Sequence, residues 1–457
     1  MPRRKRRAKV VPPEEKFEIL RPDAAGVDIG AREIWVSVPP DRADEPVRGF
    51  GVTTPCLHAA ADWLHECGIR SVAMESTGVY WVPLYEILEE RGFEVWLVNS
   101  REAKAVPGRK SDVLDCQWIR RLHTYGLLRR SFRPTAEIVE FRQYMRQRDT
   151  LVHSAGDQVR RMHKALTLMN IHFQTVISDI TGTTGMAIIR DIVAGERDPA
   201  VLAQHRDPRC RASVEKIEAA LTGNYQPEHL FALRHALELY DIHQKLILEC
   251  DNESARLLDS INKQAGRDAK PMPRKRRKRT TKGAKVDYAS RLHALVGVDL
   301  TAVPGLSDYS VATLIAEFGT DMTRWETANH FSSWLRLVPR TDITGGKTKN
   351  RRTLPRGNRA SQVLRMAAVN AGRTRTAIGA FYRNFSRRKG KAEAVVATAH
   401  KLARIIYTMI RNQTEFEDVG EMGWEQQRRD RTLRILKKKA KALGFTLLES
   451  SDLSSAG

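Results

Sequence analysis

Short apolar runs alternate with helically spaced ones from residue 23 to about residue 133. Ala24-Ala25-Gly26-Val27 and Ile34-Trp35-Val36-Ser37-Val38 flank the turn-like Gly30-Ala31-Arg32, a pattern that predicts a β-hairpin. A third strand is expected near residues 47–52, then a helix bearing Leu57, Ala61, Trp63 and Leu64. The run Ser71-Val72-Ala73-Met74 predicts a strand that ends at Glu75, followed by a helix over 80–91 and a strand over 93–98. Three early strands in meander, then alternating helix and strand, predict an α/β domain with a mixed sheet. From residue 135 to about 180 the spacing becomes long and helical (Ile138, Phe141, Met145, Leu151, Met162, Leu166), and it does so again over about 227–261. Two such amphipathic helices joined by an irregular segment predict an antiparallel coiled coil. Beyond Tyr288 the pattern stays helical, with a turn at Val303-Pro304-Gly305-Leu306-Ser307, a helix over about 358–372 and a basic amphipathic stretch over 428–443.

The polar residues that interrupt this pattern define the candidate chemistry. Asp28 lies inside an apolar strand, where a carboxylate is costly unless it is paired or bound to a metal. Glu75 closes another apolar strand, and Asp112 and Asp115 open a helical pattern in KSDVLDCQWI. Residues at i and i+3 share a helix face, so both carboxylates of that pair can point at one spot. Two strand-end acids and a helical acid pair are the parts of an RNase H-like nuclease site. Their hard oxygen donors suit magnesium, and two such ions clamp a scissile phosphate. The plainer readings are an edge aspartate or N-cap for Asp28 and an ordinary negative first turn for Asp112 and Asp115.

Charge points to the same partner class. The 457-residue chain carries 77 Lys and Arg against 54 Asp and Glu, a formal net charge of +23, which predicts a polyanion and nucleic acid before membrane. No apolar run approaches the roughly 18 residues that span a bilayer, and the N-terminus lacks the apolar core of a signal peptide. Five scattered cysteines without a CxxC predict reduced thiols and a cytoplasmic protein. Phosphate contacts are expected from Arg142, Arg146, Arg160 and Arg161 on the first long helix, and from Arg274, Lys275 and Arg276 in a basic, proline-containing linker. Lys347, Arg351 and Arg352 extend that set into what reads as a flexible basic loop. Gly345-Gly346-Lys347-Thr348 is not a nucleotide-binding loop, because Thr341 stands where a glycine is needed. The expected organisation is a disordered basic arm (1–22), a catalytic α/β domain (23–133), a helical coiled coil (134–262), a basic linker (263–287), a mainly α-helical C-terminal domain (288–412) and a basic helical tail (413–457).

Two motif sets in this order resemble transposases of the IS110 family, in its IS1111-like branch. The N-terminal set is GVDIG, MESTGVYW and GRKSDVLD; the C-terminal set is VPGLSDYSVATLIAEFG, LRLVPRTDITGGK and GNRASQVLRMAA. The resemblance covers most of residues 23 to about 412. It implies a RuvC-like RNase H fold with a DEDD acidic set, here Asp28, Glu75, Asp112 and Asp115, then a coiled coil and a C-terminal transposase domain with a helix-hairpin-helix-like element. In that element Ser307 stands where the usual pattern has a second glycine. The resemblance further implies DNA recombination with Mg2+, a bridge RNA that pairs donor and target, and a homo-oligomer (dimer or tetramer). It also implies a nucleophilic serine just before glycine-glycine-lysine, a position held here by Thr344. A threonine hydroxyl attacks phosphorus in the same way, though its β-methyl restrains χ1. The nearest serines, Ser332 and Ser333, read as helix-opening residues. Two alternatives stand beside this reading: a non-catalytic nucleic-acid-binding remnant, and a RuvC-like junction resolvase that hydrolyses DNA without Thr344. The first is disfavoured because four acids would repel phosphate without a metal between them.

Overall fold

The computed structural model describes residues 18–76, 78–99, 112–267, 286–339, 342–344, 347–350 and 357–447, with backbone alone described at 112–113, 342–344 and 347–350. The chain divides into two compact units, residues 1–133 and 134–457.

The first unit is built on a five-stranded mixed sheet. Its strands are β1 (Ala24–Ile29), β2 (Glu33–Ser37), β3 (Val47–Gly51), β4 (Ser71–Glu75) and β5 (Glu94–Val98), in the order β3-β2-β1-β4-β5. The β1–β2 and β2–β3 pairs are antiparallel, and β1–β4 and β4–β5 are parallel. β1 is central and covered on both faces, which explains its continuous run of small and apolar residues. On one face Val27, Ile34, Val36 and Met74 join Leu57 and Leu64 of α1 (Thr54–Glu66) and Leu84 and Leu88 of α2 (Trp81–Glu90) in the larger core. On the other face Ala73 and Val98 pack with Ile119 of α3 (Asp112–Thr124) and with Leu128.

The second unit is almost wholly helical. Its spine is the pair α4 (Ala136–Leu168) and α8 (Pro227–Gln264). Leu151 and Ala155 meet Ile247 at one level, while Met162 and Leu166 cluster with Leu233 and Leu237 at another, so the two helices run antiparallel. Between them come α5 (Thr183–Ala194), α6 (Pro199–Ala203) and α7 (Val214–Leu221), which cap the far end of the pair. The single long helix expected over 135–180 stops at Leu168, because Asn170 turns left-handed (φ 57°).

The remaining elements are α9 (Tyr288–Val296), α10 (Asp308–Phe318), α11 (Ala328–Trp334), β6 (Asp342–Thr344), β7 (Lys347–Asn350), α12 (Arg359–Ala371), α13 (Ala377–Lys389), α14 (Lys391–Asn412) and α15 (Gly420–Ala442). Phe318, Trp325, Phe331, Trp334 and Tyr407 form an aromatic core, tied by the Tyr407 hydroxyl donating to the Trp325 carbonyl at 2.7 Å. In the turn before α10, Gly305 has φ +90°, and a Cβ there would run into the Ala367 carbonyl of α12, so only glycine fits. Ser307 is the N-cap of α10, its side chain accepting from Ser310 N at 3.2 Å. The stretch around Thr344 departs from the expected loop: β6 and β7 pair antiparallel as a hairpin.

Candidate active site

The strand register sets the first half of the site. Ala24, Ala25, Gly26 and Val27 of β1 lie opposite Ser71, Val72, Ala73 and Met74 of β4. One step further along the same register, Asp28 comes beside Glu75, at the C-terminal ends of two adjacent parallel strands. Because side chains alternate, both acids share the sheet face of Gly26 and Ala73, the face that α3 covers. Asp28 is half-buried, and Glu75 is buried, at 2% exposure.

The second half depends on how α3 is laid across that face. Near its C-terminal end, His123 Nε2 lies 2.7 Å from the hydroxyl of Ser71, the first residue of β4. The amides of Leu20 and Arg21 donate to the Thr124 carbonyl, each at 3.0 Å. In its middle, Arg120 Nε donates to Ser37 Oγ at 3.2 Å. A Cβ at Gly26 would run into the Cys116 carbonyl and the Arg120 amide, so the helix backbone rests on the strand at that point. The end of α3 therefore sits over the strand beginnings, and its first turn, with Asp112 and Asp115, reaches toward the strand ends where Asp28 and Glu75 stand. The Cys116 thiol registers that charge: burial, and then the negative charges of Asp28 and Asp115, push it up to about 12.

Asp28, Glu75 and Asp115 thus lie toward one end of the sheet, and the Asp112 side chain lies outside the described residues. Among the described residues, no three His, Cys, Asp or Glu side chains stand close enough together to hold a metal ion. As donors the four are carboxylates alone, a hard-oxygen set that fits magnesium and not a soft metal. The apolar pattern of β1 assigns Gly26 no role of its own. Its signal was there, since a glycine two residues before the acid, on the same strand face, marks where a helix backbone comes close.

The other expected residues are dispersed. Thr344 is the last residue of β6 and pairs with Lys347, the first of β7, so only the Gly345-Gly346 sequence separates them. The side chains of both lie outside the described residues, as do Arg274, Lys275, Arg276, Arg351 and Arg352 entirely. Arg142 does not present its guanidinium to solvent. Its Nε and Nη2 donate to the carbonyls of Ala316 and Glu317, each at 2.9 Å, which caps the C-terminal end of α10. Arg146 donates to both Glu317 carboxylate oxygens, at 3.0 and 3.1 Å. Arg160 is exposed and pairs with Asp157, and Arg161 is exposed.

The five cysteines are free thiols. Among the described residues, no helix is long and apolar enough to cross a membrane.

A family model for transposases of the IS110 DEDD type matches residues 25–171, which spans the sheet and the acid-bearing edge. A second model, for the IS116/IS110/IS902 family of transposases, matches residues 299–383, from the turn before α10 into α13. No curated protein matches the chain. With one model over the acidic site and the other over the segment that holds Thr344, this chain belongs to the IS110 family of transposases, which act on DNA.

Proposed function

We propose that this transposase cuts and rejoins DNA by phosphoryl transfer, with Asp28, Glu75, Asp112 and Asp115 as its metal-binding acids and the Thr344 hydroxyl as its nucleophile. The observation that most supports the acid set is the β1–β4 register, which carries Asp28 to a position beside Glu75 on the face crossed by α3. These carboxylates would hold magnesium, which when bound would supply positive charge at the scissile phosphate. The sheet fixes Asp28 and Glu75, and the close seating of α3 at Gly26 fixes the turn that carries the other two. Thr344 Oγ1 attacks phosphorus, forming one P–O bond as the bond to a deoxyribose oxygen breaks. The threonine proton leaves with that step and the released oxygen takes one up. Rejoining is the reverse, with the hydroxyl of a new strand displacing Thr344.

In this reading α4 and α8 form a coiled coil whose exposed Arg160 and Arg161, with Arg274, Lys275 and Arg276 of the linker, contact phosphates of DNA and of a bridge RNA. The protein works as a homo-oligomer, a dimer or tetramer. The basis for these points is net charge and the family resemblance.

The test is Asp28→Asn. It removes one charged ligand and leaves shape intact, so magnesium-dependent recombination of a donor and target duplex should disappear while affinity for both is kept. Recombination at the parental rate would sink the acid assignment. A structured non-coding transcript encoded beside the gene, co-purifying with the protein, is the expected sign of the bridge RNA.

A further inference from the structure

α15 starts on the protein and then leaves it. Its first turn is anchored: Gly420 N donates to Asp418 Oδ1 at 3.2 Å, and Arg383 of α13 donates to Glu421 Oε1 at 2.7 Å. Yet none of its 23 residues is buried. Residues 428–441 hold eight Lys and Arg against one acid, Asp430. At 100° per residue, Arg428, Arg431, Arg434, Lys437, Lys438 and Lys441 fall on one half of the helix, interrupted by Asp430 and Ile435, while Leu433, Leu436 and Ala440 lie on the other half around Arg429.

Such a helix works against itself. Like charges repeat at i,i+3 and i,i+4 along this half, each pair destabilising the helix, and no side chain is buried in return. A polyanion turns that repulsion into attraction. Fourteen residues span about 21 Å, and a helix of this kind fits the B-form major groove, about 12 Å wide, with phosphates along both walls. Half the helix is lined with cations and Arg429 and Lys439 add charge on the other half, so both walls are offered cations at once. The deep, narrow major groove of A-form RNA does not admit it. The segment also lies beyond the two family matches, the later of which ends at residue 383.

We propose that α15 is a docking arm for duplex DNA, contacting phosphates through residues 428–441 and adding affinity without sequence preference. The proposal rests on DNA being the partner of this transposase and is independent of the acid set and of Thr344.

The test is a full-length variant with Arg431, Arg434, Lys437, Lys438, Lys439 and Lys441 all changed to glutamine, a good helix former. Its binding to a random-sequence DNA duplex is followed by fluorescence anisotropy across a salt series, with circular dichroism as the check on helix content. Each phosphate contact contributes about 0.9 to the slope of log affinity against log salt, so the slope should fall by about three to five. Affinity at low salt should drop by at least about tenfold. A slope within about one unit of the parent overturns the proposal. So does a loss seen only with structured RNA, or only with vesicles of anionic phospholipid. If helix content falls as well, the same series is run on a Lys437→Gln, Lys441→Gln variant, whose slope should fall by about one to two, and an unchanged slope there overturns the proposal.

Discussion

Arg148 and Asp251 meet inside the second unit, with Arg148 Nε donating to Asp251 Oδ1 at 2.6 Å and Nη2 to Oδ2 at 3.3 Å. Asp251 is 1% exposed, and the Tyr288 hydroxyl donates to the same Oδ1 at 3.0 Å. The Arg148 guanidinium lies over the Tyr309 ring, 4.5 Å from its centroid; the Tyr309 hydroxyl donates to Asp149, which also accepts from Arg359 at 2.9 Å. One polar network therefore ties the α4–α8 pair to α9, α10 and α12, the helix that follows the Thr344 hairpin. An arginine buried so deeply is tolerable only while its partner is present. Asp251→Ala should cost about 3–5 kcal/mol in denaturant unfolding, and adding Arg148→Met should recover much of that loss. A cost near zero for Asp251→Ala would mean that the pair does not hold these helices together.

Gly26→Ala tests how α3 is seated. The new methyl would collide with main-chain atoms of Cys116 and Arg120, which cannot rotate away as a side chain does. The helix has to shift off β1, at a cost of roughly 2–3 kcal/mol, and the first turn that bears Asp112 and Asp115 shifts with it. Thermal unfolding should show the loss, and recombination should fall more steeply than stability alone explains when assayed well below the melting temperature. Parental stability and activity together would contradict the close packing.

The sheet was legible because its strands carry strong apolar signals: β1, β2, β4 and β5 fall within a residue or two of the spans expected from the runs around Val27, Ile34, Met74 and Val95. The hairpin at Thr344 was not, because DIT and KTKN are short and mostly polar, with no alternation to read. The end of α4 was missed for the opposite reason. Apolar residues continue at Ile171, Phe173, Ile177 and Ile180, all buried, so periodicity gave no sign that Asn170 breaks the helix. Charge was the weakest guide. Arg142, Arg146 and Arg160 look alike in sequence, but the carbonyls of α10 capture Arg142 and Glu317 captures Arg146, contacts about 170 residues away in the chain that no local pattern encodes. At the acidic edge the sequence supplied the residue types, and the parallel register and the direction of α3, both long-range features, supplied their placement.

His123 should make the first unit sensitive to mild acid. The ring is fully buried over the sheet face of β4 and β5, with its Nε2 beside Ser71 and its centroid 5.2 Å from that of the Trp96 ring. Burial, and then the nearby Arg21, push it down to about 4, against 6.5 for a free histidine; Glu94 opposes the shift weakly. Between these values the unfolded chain binds a proton that the folded one refuses, so stability is full above pH 6.5 and is lost as pH falls toward 4. The loss at the low end is about 3 kcal/mol. Urea unfolding at pH 7.5 and pH 5 should differ by more in the parent than in a His123→Phe variant. Equal pH dependence in the two would place the sensitivity on other groups.

Thr344 is the sharpest test of the chemistry. It ends β6, pairs with Lys347 and precedes two glycines, so a phosphate can come close to the main chain with a cation one strand position away. Its β-branched side chain suits a strand, but the methyl crowds an in-line approach that serine would leave open. Thr344→Ala should remove the covalent protein–DNA species seen on a denaturing gel with labelled duplex, down to background. Thr344→Ser should form it at the parental rate or faster, because the hydroxyl remains and only the methyl is lost. The nearest serines give the contrast. Ser332 is fully buried and donates to the Ala328 carbonyl at 2.7 Å, so Ser332→Ala should lower stability and leave adduct formation per folded molecule unchanged. Ser333 is exposed on the same helix, so an adduct that survives Thr344→Ala and disappears with Ser333→Ala would move the nucleophile there. If no variant, the parent included, forms an adduct while magnesium-dependent cutting persists, the acids hydrolyse DNA directly and Thr344 is a strand residue alone.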